Sequence, residues 1–302
     1  MFFYILRPMH GKYAKIIEYF TKGGCMMKLI DLHVHSNKSD GTLTPSEVAK
    51  LAHSAGLSAI ALTDHDTVAG VAECMEAGQA LGLEVIPGIE LSADFHGKEV
   101  HILGLNLDLT NPTLHATLKS FVEAREARNK KMLQKLQELG FDITEADLGK
   151  PEELSIIARP HFARALMNKG YVKTLDEAFE KYITPGKPAY VKKAAPDYKV
   201  CIDLIHAVGG KAILAHPYIY KFTNRNPFPL IEELAYNGLD GVEVIYPKHY
   251  DPEVHRLTQY CQGHHLIMTG GSDFHGDNKP DIRIGCGFGR TEVPYTLLEE
   301  LK

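Results

Sequence analysis

Tryptophan is absent from the 302 residues, and cysteine is scarce. The five cysteines, Cys25, Cys74, Cys201, Cys261 and Cys286, are odd in number and far apart. That excludes a disulfide framework and a thiolate zinc site, and it fits a reducing cytoplasm. No apolar run comes near the roughly 20 residues that a membrane span requires, so no membrane partner is expected. Positive charge is not in excess: 33 Lys and Arg stand against 38 Asp and Glu, a formal net charge of -5. Such a balance argues against a surface that coats long duplex nucleic acid, and any phosphate-bearing partner should be small or short. Internal repeats and low-complexity tracts are missing too. The apolar run at 2–6 is too short for a signal segment, and no small-residue cleavage site follows it. Residues 1–27 therefore read as an appendage, with Met26 and Met27 as candidate natural starts.

What the chain does have is enough apolar material, 44% of residues, for one large core and one inserted subdomain. From Lys28 onward, short β-rich runs at 28–35, 58–63, 83–89, 100–105, 212–215, 241–245 and 266–269 alternate with helical patterns. Alternation of this kind marks an α/β protein with a mostly parallel sheet and helical crossovers, and seven strands favour a closed or nearly closed barrel. Thr44, Pro45 and Glu47 form a capping box that opens a helix ending near Gly56. The segment 108–186 shows no strand but long charged helical periodicity, especially at 114–139, and is assigned as a helical insertion. The barrel would then comprise 28–107 and 187–302.

Histidines and acids gather at the predicted strand ends, where the loops of barrels build active sites. In Asp31-Leu32-His33-Val34-His35 a period of two puts both imidazoles on one face of the first strand. Asp40 follows in the next loop. Thr63-Asp64-His65-Asp66 ends the second strand, Glu90 the third, and His101 lies in the fourth; His216 and the Asp273-Phe274-His275 segment end later strands. These nine donors, His33, His35, Asp40, His65, Glu90, His101, His216, Asp273 and His275, are too many for one ion. They fit two or three divalent ions sharing hydroxides, with zinc, manganese or iron(II) suited to a mixed nitrogen and oxygen set. Asp31, Asp64 and Asp66 are either acceptors that orient imidazoles or ordinary turn residues. His53, His96, His115, His206, His249, His255, His264 and His265 read as surface or satisfied core residues.

Taken in order, these motifs resemble the PHP (polymerase and histidinol phosphatase) family, and the likeness runs from Lys28 to about Arg290. The resemblance implies a distorted seven-stranded (β/α) barrel and a trinuclear site. It assigns His33, His35, Glu90 and Asp273 to one ion, Glu90, His101 and His216 to a second, and Asp40, His65 and His275 to a third. A site of that kind hydrolyses phosphate esters through a metal-activated hydroxide.

The insertion adds Arg159-Pro160-His161, in which proline at the first helical position would aim backbone N–H groups and a guanidinium at an anion. Arg159, His161 and Arg164 are candidate substrate contacts, with His161 also a candidate proton donor; an ordinary capped helix with surface charges is the plainer reading. Arg225 and Arg290 are phosphate contacts or solvated surface groups. Among PHP proteins the chain is similar to small stand-alone members that remove the 3′-phosphate of nucleoside 3′,5′-bisphosphates and degrade short RNA from its 5′ end. Rival readings are a histidinol-phosphate-type phosphatase, an amidohydrolase and a non-catalytic metal-binding regulatory domain.

Overall fold

The computed structural model describes residues 28–149, 157–192 and 195–301. The expected appendage 1–27, with Cys25 and the two candidate start methionines, lies outside them. Four strands run as expected in parallel pairs: β1 (Leu29–Val34) beside β2 (Ala59–Leu62), and β6 (Gly241–Ile245) beside β7 (Ile267–Gly270). Between them lie β3 (Glu84–Phe95), β4 (Lys98–Leu105) and β5 (Lys211–Leu214), and a short β8 (Val293–Pro294) pairs with the outer edge of β1. The order is β7-β6-β5-β4-β3-β2-β1-β8. Strands β1 and β2 are buried almost throughout, which is why their sequences are continuous apolar runs broken only by site residues.

Nine helices accompany the strands among the described residues: α1 (Pro45–Ser54), α2 (Val71–Leu81), α3 (Pro112–Glu138), α4 (Arg159–Asn168), α5 (Leu175–Ala178), α6 (Tyr198–Ala207), α7 (Phe228–Tyr236), α8 (Asp251–His264) and α9 (Thr296–Glu299). The Thr44–Glu47 capping box at α1 forms in both directions.

Two features differ from the sequence reading. Strand β3 does not stop at residue 89 but continues to Phe95, so Glu90 sits in mid-strand, level with His65 at the end of β2. It then turns directly into β4 through His96 and Gly97, both at positive φ (49° and 84°), the backbone of a two-residue hairpin. Consequently β3–β4 and β4–β5 are antiparallel, and the expected run of parallel crossovers is interrupted there. His101 thus lies near the start of β4, and the reversed strand brings it back to the same end of the barrel as the other histidines.

The ring of strands closes through the segment after β7. The Asp273 amide donates to the His33 carbonyl (2.8 Å) and the His35 amide to the Phe274 carbonyl (3.0 Å). A side chain at residue 271 would place Cβ 2.3 Å from the His33 Cβ, so that closure demands Gly271. The fold is a distorted, nearly closed barrel with helices around it.

Helix α3 spans about 40 Å at 1.5 Å per residue, long enough to join two cores. Its first half buries Leu114, Leu118 and Phe121 against the barrel core, and its last turns bury Met132, Leu133 and Leu136 against a second apolar cluster that includes Phe162, Leu166 and Ile183. Between the two apolar stretches, on the same helical spacing, lie buried Arg125, Arg128 and Asn129.

His249, read as a satisfied core histidine, is buried and donates from Nδ1 to the Val244 carbonyl (2.9 Å), while its Nε2 has no partner among the described residues. Burial pushes its pKa down to about 4. A histidine whose folded pKa lies below its unfolded one keeps its stabilising contribution above the unfolded value and loses it as pH falls towards the folded one. Between pH 6.5 and 4 the loss should reach about 3 kcal/mol. His249→Phe should therefore show a smaller drop in denaturant-unfolding free energy than the parent across that range; equal drops would remove His249 from the account.

Candidate metal centre

Alternation along β1 sends His33 and His35 to the interior of the barrel mouth, both fully buried. The turn after β1 carries Asp40 under them, held by Asp64, which accepts from the Ser36 amide (2.8 Å), the Ser36 hydroxyl (2.6 Å) and the Ser39 hydroxyl (2.5 Å). Asp31 plays the matching part on the far side, accepting from the Ser272 amide and hydroxyl and the Gly285 amide. Burial pushes both carboxyls up to about 6, against the lowering effect of those hydrogen bonds. Asp66 accepts from the Ser92 amide (2.9 Å) and pairs with Arg125. These three acids fasten the loops of the barrel mouth and, through Arg125, helix α3 to the barrel.

All nine expected donors come together, and Glu90 is at their centre. Its Oε1 lies 2.9 Å from His101 Nδ1 and 3.1 Å from His216 Nε2; its Oε2 lies 3.1 Å from His65 Nδ1, 3.2 Å from His35 Nε2 and 3.3 Å from His33 Nε2. One carboxylate thus faces five imidazole nitrogens. Asp40 Oδ1 meets His275 Nε2 at 3.2 Å, and Asp273 Oδ1 lies 3.3 to 3.7 Å from His275, His35 and His33.

Hydrogen bonds account for only part of these contacts: Glu90 Oε1 accepts from His101 and His216, but the other oxygen and several ring nitrogens are left over. Glu90 Oε2, His65 Nδ1, His35 Nδ1 and His216 Nδ1 are buried without a hydrogen-bond partner among the described residues, although other site atoms sit close by. Lone pairs that converge at such distances without donors between them are costly unless a cation lies among them. Four overlapping sets of ligand atoms lie within 4.8 Å of one another: His35, Asp40, His65 and His275; His33, Glu90 and His216; His33, His35 and Asp273; and His65, Glu90 and His101. The donor set fits divalent metal ions. His101 and His216 share Glu90 Oε1, with their rings 5.2 Å apart, while the overlapping sets also place His216 with His33 and His101 with His65.

Charge follows the same geometry. Burial disfavours the ionised form of Glu90, yet His65, His33 and His101 outweigh it and hold its pKa well below the usual carboxylate range. Burial alone would lower His101, but Glu90 raises it to about 10. For His65 burial prevails and the pKa falls to about 4.

Outside the nine, β6 was assigned no site residue, and it supplies an important one. Fully buried Glu243 accepts from His33 Nδ1 (3.0 Å) and from the His216 amide (2.7 Å). The first bond leaves His33 Nε2 directed at Glu90. The signal in the sequence was one acid in the apolar run Gly-Val-Glu-Val-Ile. Tyr246 and Lys279, also unforeseen, bond Asp273 Oδ2 at 2.9 and 2.7 Å. Three residues here, Asp66, His216 and Asp273, hold positive φ (55°, 34° and 56°), strain that the surrounding bonds must sustain.

Beside the centre, a cleft of about 70 Å³ is lined by Asp40, His65 and His101 together with Arg125, Arg128, Arg159 and the acid Glu99. Arg159 is the first residue of α4, with Pro160 next, one position earlier than expected, and it reaches Glu99 (3.2 Å). His161 Nδ1 accepts from the Ala158 amide (2.9 Å), which leaves Nε2 to carry the proton of the neutral ring, and burial lowers its pKa. Arg164 donates to Asn278, whose amide donates to the Asp40 carbonyl (2.6 Å), so its guanidinium braces the Asp40 turn. Arg128 was not foreseen. It is buried, makes no ion pair among the described residues, and its Nε has no partner. Burial, reinforced by Arg125 and Arg159, pushes its pKa down to about 10.

The sequence profile of the PHP domain matches residues 31–218, more than half of the chain. The chain belongs to the PHP family. It is 37% identical over 250 residues to a 5′-3′ exoribonuclease of Haemophilus influenzae, covering 83% of this chain and 91% of the relative. It is 36% identical over 263 residues to a 3′,5′-nucleoside bisphosphate phosphatase of Chromobacterium violaceum, covering 86% and 91%. Among solved structures it matches one described as a metal-dependent phosphoesterase from Bifidobacterium adolescentis, with a TM-score of 0.81, 30% identity and coverage of 91% and 95%.

Glu243→Gln should keep the fold but loosen His33, lowering affinity for divalent metal by about 10- to 100-fold. Calorimetric titration of the metal-stripped protein would measure it, and unchanged affinity would discard the orienting role.

Proposed function

We propose that this chain is a metal-dependent phosphoesterase that hydrolyses phosphate esters of small nucleotides. Its substrates are the 3′-phosphate of nucleoside 3′,5′-bisphosphates and short RNA taken from the 5′ end. The observation that carries this reading is the juxtaposition of the Glu90-centred histidine cluster with a cleft walled by three arginines. The names of the two relatives supply the nucleotide class. We place two or three divalent ions, of manganese, zinc or iron, on His33, His35, Asp40, His65, Glu90, His101, His216, Asp273 and His275. Bound there, such ions lower the pKa of water and offset the charge of the phosphoryl group.

The chain's own groups have separate tasks. Arg128, already desolvated and without a carboxylate partner among the described residues, receives substrate phosphate, with Arg159 at the rim. His161, next in sequence to the cleft-lining Pro160, is assigned as a substrate contact or proton donor, while Arg164 fixes the Asp40 turn. Residues 108–186 are read as an inserted unit whose α3 and α4 supply these groups to a barrel of 28–107 and 187–302. Among the described residues no helix is long and apolar enough to cross a membrane. With few cysteines and a small anionic substrate, a cytoplasmic enzyme that binds neither membrane nor long duplex is the reading that follows.

His33→Ala and Asp273→Asn should each abolish turnover and reduce bound metal, measured by elemental analysis; full activity in both would overturn the centre. Arg128→Ala should raise KM for a nucleoside 3′,5′-bisphosphate by about 10- to 100-fold, the worth of a charged hydrogen bond, with metal content intact. Arg159→Ala should do less. A substrate panel of bisphosphates, short RNA, cyclic phosphodiesters, histidinol phosphate and simple amides tests the class, and preferred turnover of either of the last two would replace it.

A further inference from the structure

A second cavity opens at the same end of the barrel, formed by the loops that follow β5, β6 and the β7 segment. It is a groove of about 580 Å³, within the range of ligand sites. Its walls carry two exposed aromatic rings, Tyr250 and Phe288, the buried Tyr220, and the cations Lys221, Lys248 and Arg290, with no acid among the lining residues. Arg225 also borders it, paired with Glu253 and stacked 5.1 Å from the centre of the Tyr250 ring. Phe288 and Tyr250 are 44% and 58% exposed, large apolar surfaces left in water beside uncompensated positive charge. Lys221, Lys248 and Arg290 form no ion pair among the described residues. In a chain of net charge -5 this is a local reversal of sign.

The groove adjoins the metal centre through Tyr220, whose hydroxyl accepts from the His101 amide (2.8 Å) and whose ring lies edge-on to His216. His101 also borders the arginine cleft, so cleft and groove both adjoin the centre at this histidine. Exposed rings alternating with cations are what a single-stranded nucleic acid requires, because bases stack on the rings without regard to sequence while phosphates pair with lysine and arginine. An acidic peptide would satisfy the cations but leave the rings uncovered.

We infer that this groove binds the nucleotides of a single-stranded RNA beyond the one being hydrolysed, stacking bases on Phe288 and Tyr250 and holding phosphates at Lys248 and Arg290. The inference rests on the nucleotide reading above and extends it to a length preference.

The absence of tryptophan supplies a direct test. Phe288→Trp introduces a single indole at the groove, and a single-stranded RNA pentamer should quench its fluorescence on mixing. An abasic phosphodiester of equal charge and an oligo-glutamate peptide should not. Separately, Phe288→Ala and Lys248→Ala should each raise KM for the pentamer by about tenfold, while KM and kcat for a nucleoside 3′,5′-bisphosphate stay as in the parent. Absence of quenching, equal quenching by the abasic strand or the peptide, or equal loss on both substrates would overturn the groove assignment. Quenching without hydrolysis of any nucleotide would keep the groove and remove the proposed reaction instead.

Discussion

Everything in this structure is arranged around one carboxylate facing five imidazole nitrogens. Glu90 is fully buried, and a buried anion is tolerated only with positive charge close by. The requirement explains the unusual features of the strands around it. Strand β3 continues past β2 so that Glu90 sits in mid-strand. The hairpin at His96 and Gly97 returns the chain so that His101 meets it, and left-handed backbone at His216 and Asp273 aims two further ligands inward. Each device costs local stability. The barrel's apolar strands and the acids that clamp its loops, Asp31 and Asp64, supply the rigidity that sustains them.

How legible this was depended on whether a residue's partners were local. His33 and His35 are separated by the period of a strand, so their shared face follows from one segment. Their convergence with His65, Glu90, His216 and Asp273 followed from strand-end positions and from the ordered motifs. His101 was read correctly as a strand residue, but nothing in 83–105 announced that its strand ran backwards, because the period of two is the same in parallel and antiparallel sheets. Glu243 escaped for a different reason. A lone acid in an apolar strand signals burial with a partner, yet the partner, His33, is 210 residues away.

Arg125 and Arg128 show the limit from the helical side. The charged periodicity of 114–139 marked a helix but could not say which of its faces was solvent. The structure answers through packing: α3 carries apolar residues to two separate cores, and the face joining them is continuous, so the polar residues between the two stretches are buried as well. Arg125 gains the Asp66 carboxylate there, whereas Arg128 loses water without gaining a carboxylate among the described residues, which leaves it ready for an anion. Arg164, three residues beyond His161 and expected at the substrate by the same helical logic, donates to Asn278. Spacing finds a shared face, but it does not say what that face meets.

The overall charge of the chain argued for a small or short substrate, and the two cation-lined walls are compatible with that. Exposed charges are screened beyond about 8 Å at physiological ionic strength, so a phosphate in the arginine cleft senses Arg125, Arg128 and Arg159 far more than the net charge. The acids of the centre would repel that phosphate at the same short range. Cations among the nine donors reverse this repulsion, so the same ions that make the buried cluster tolerable also make the cleft attractive to phosphate. Stability of the barrel mouth and affinity for an anionic substrate thus depend on one charge balance, and the placement of Glu90 at its centre ties them together.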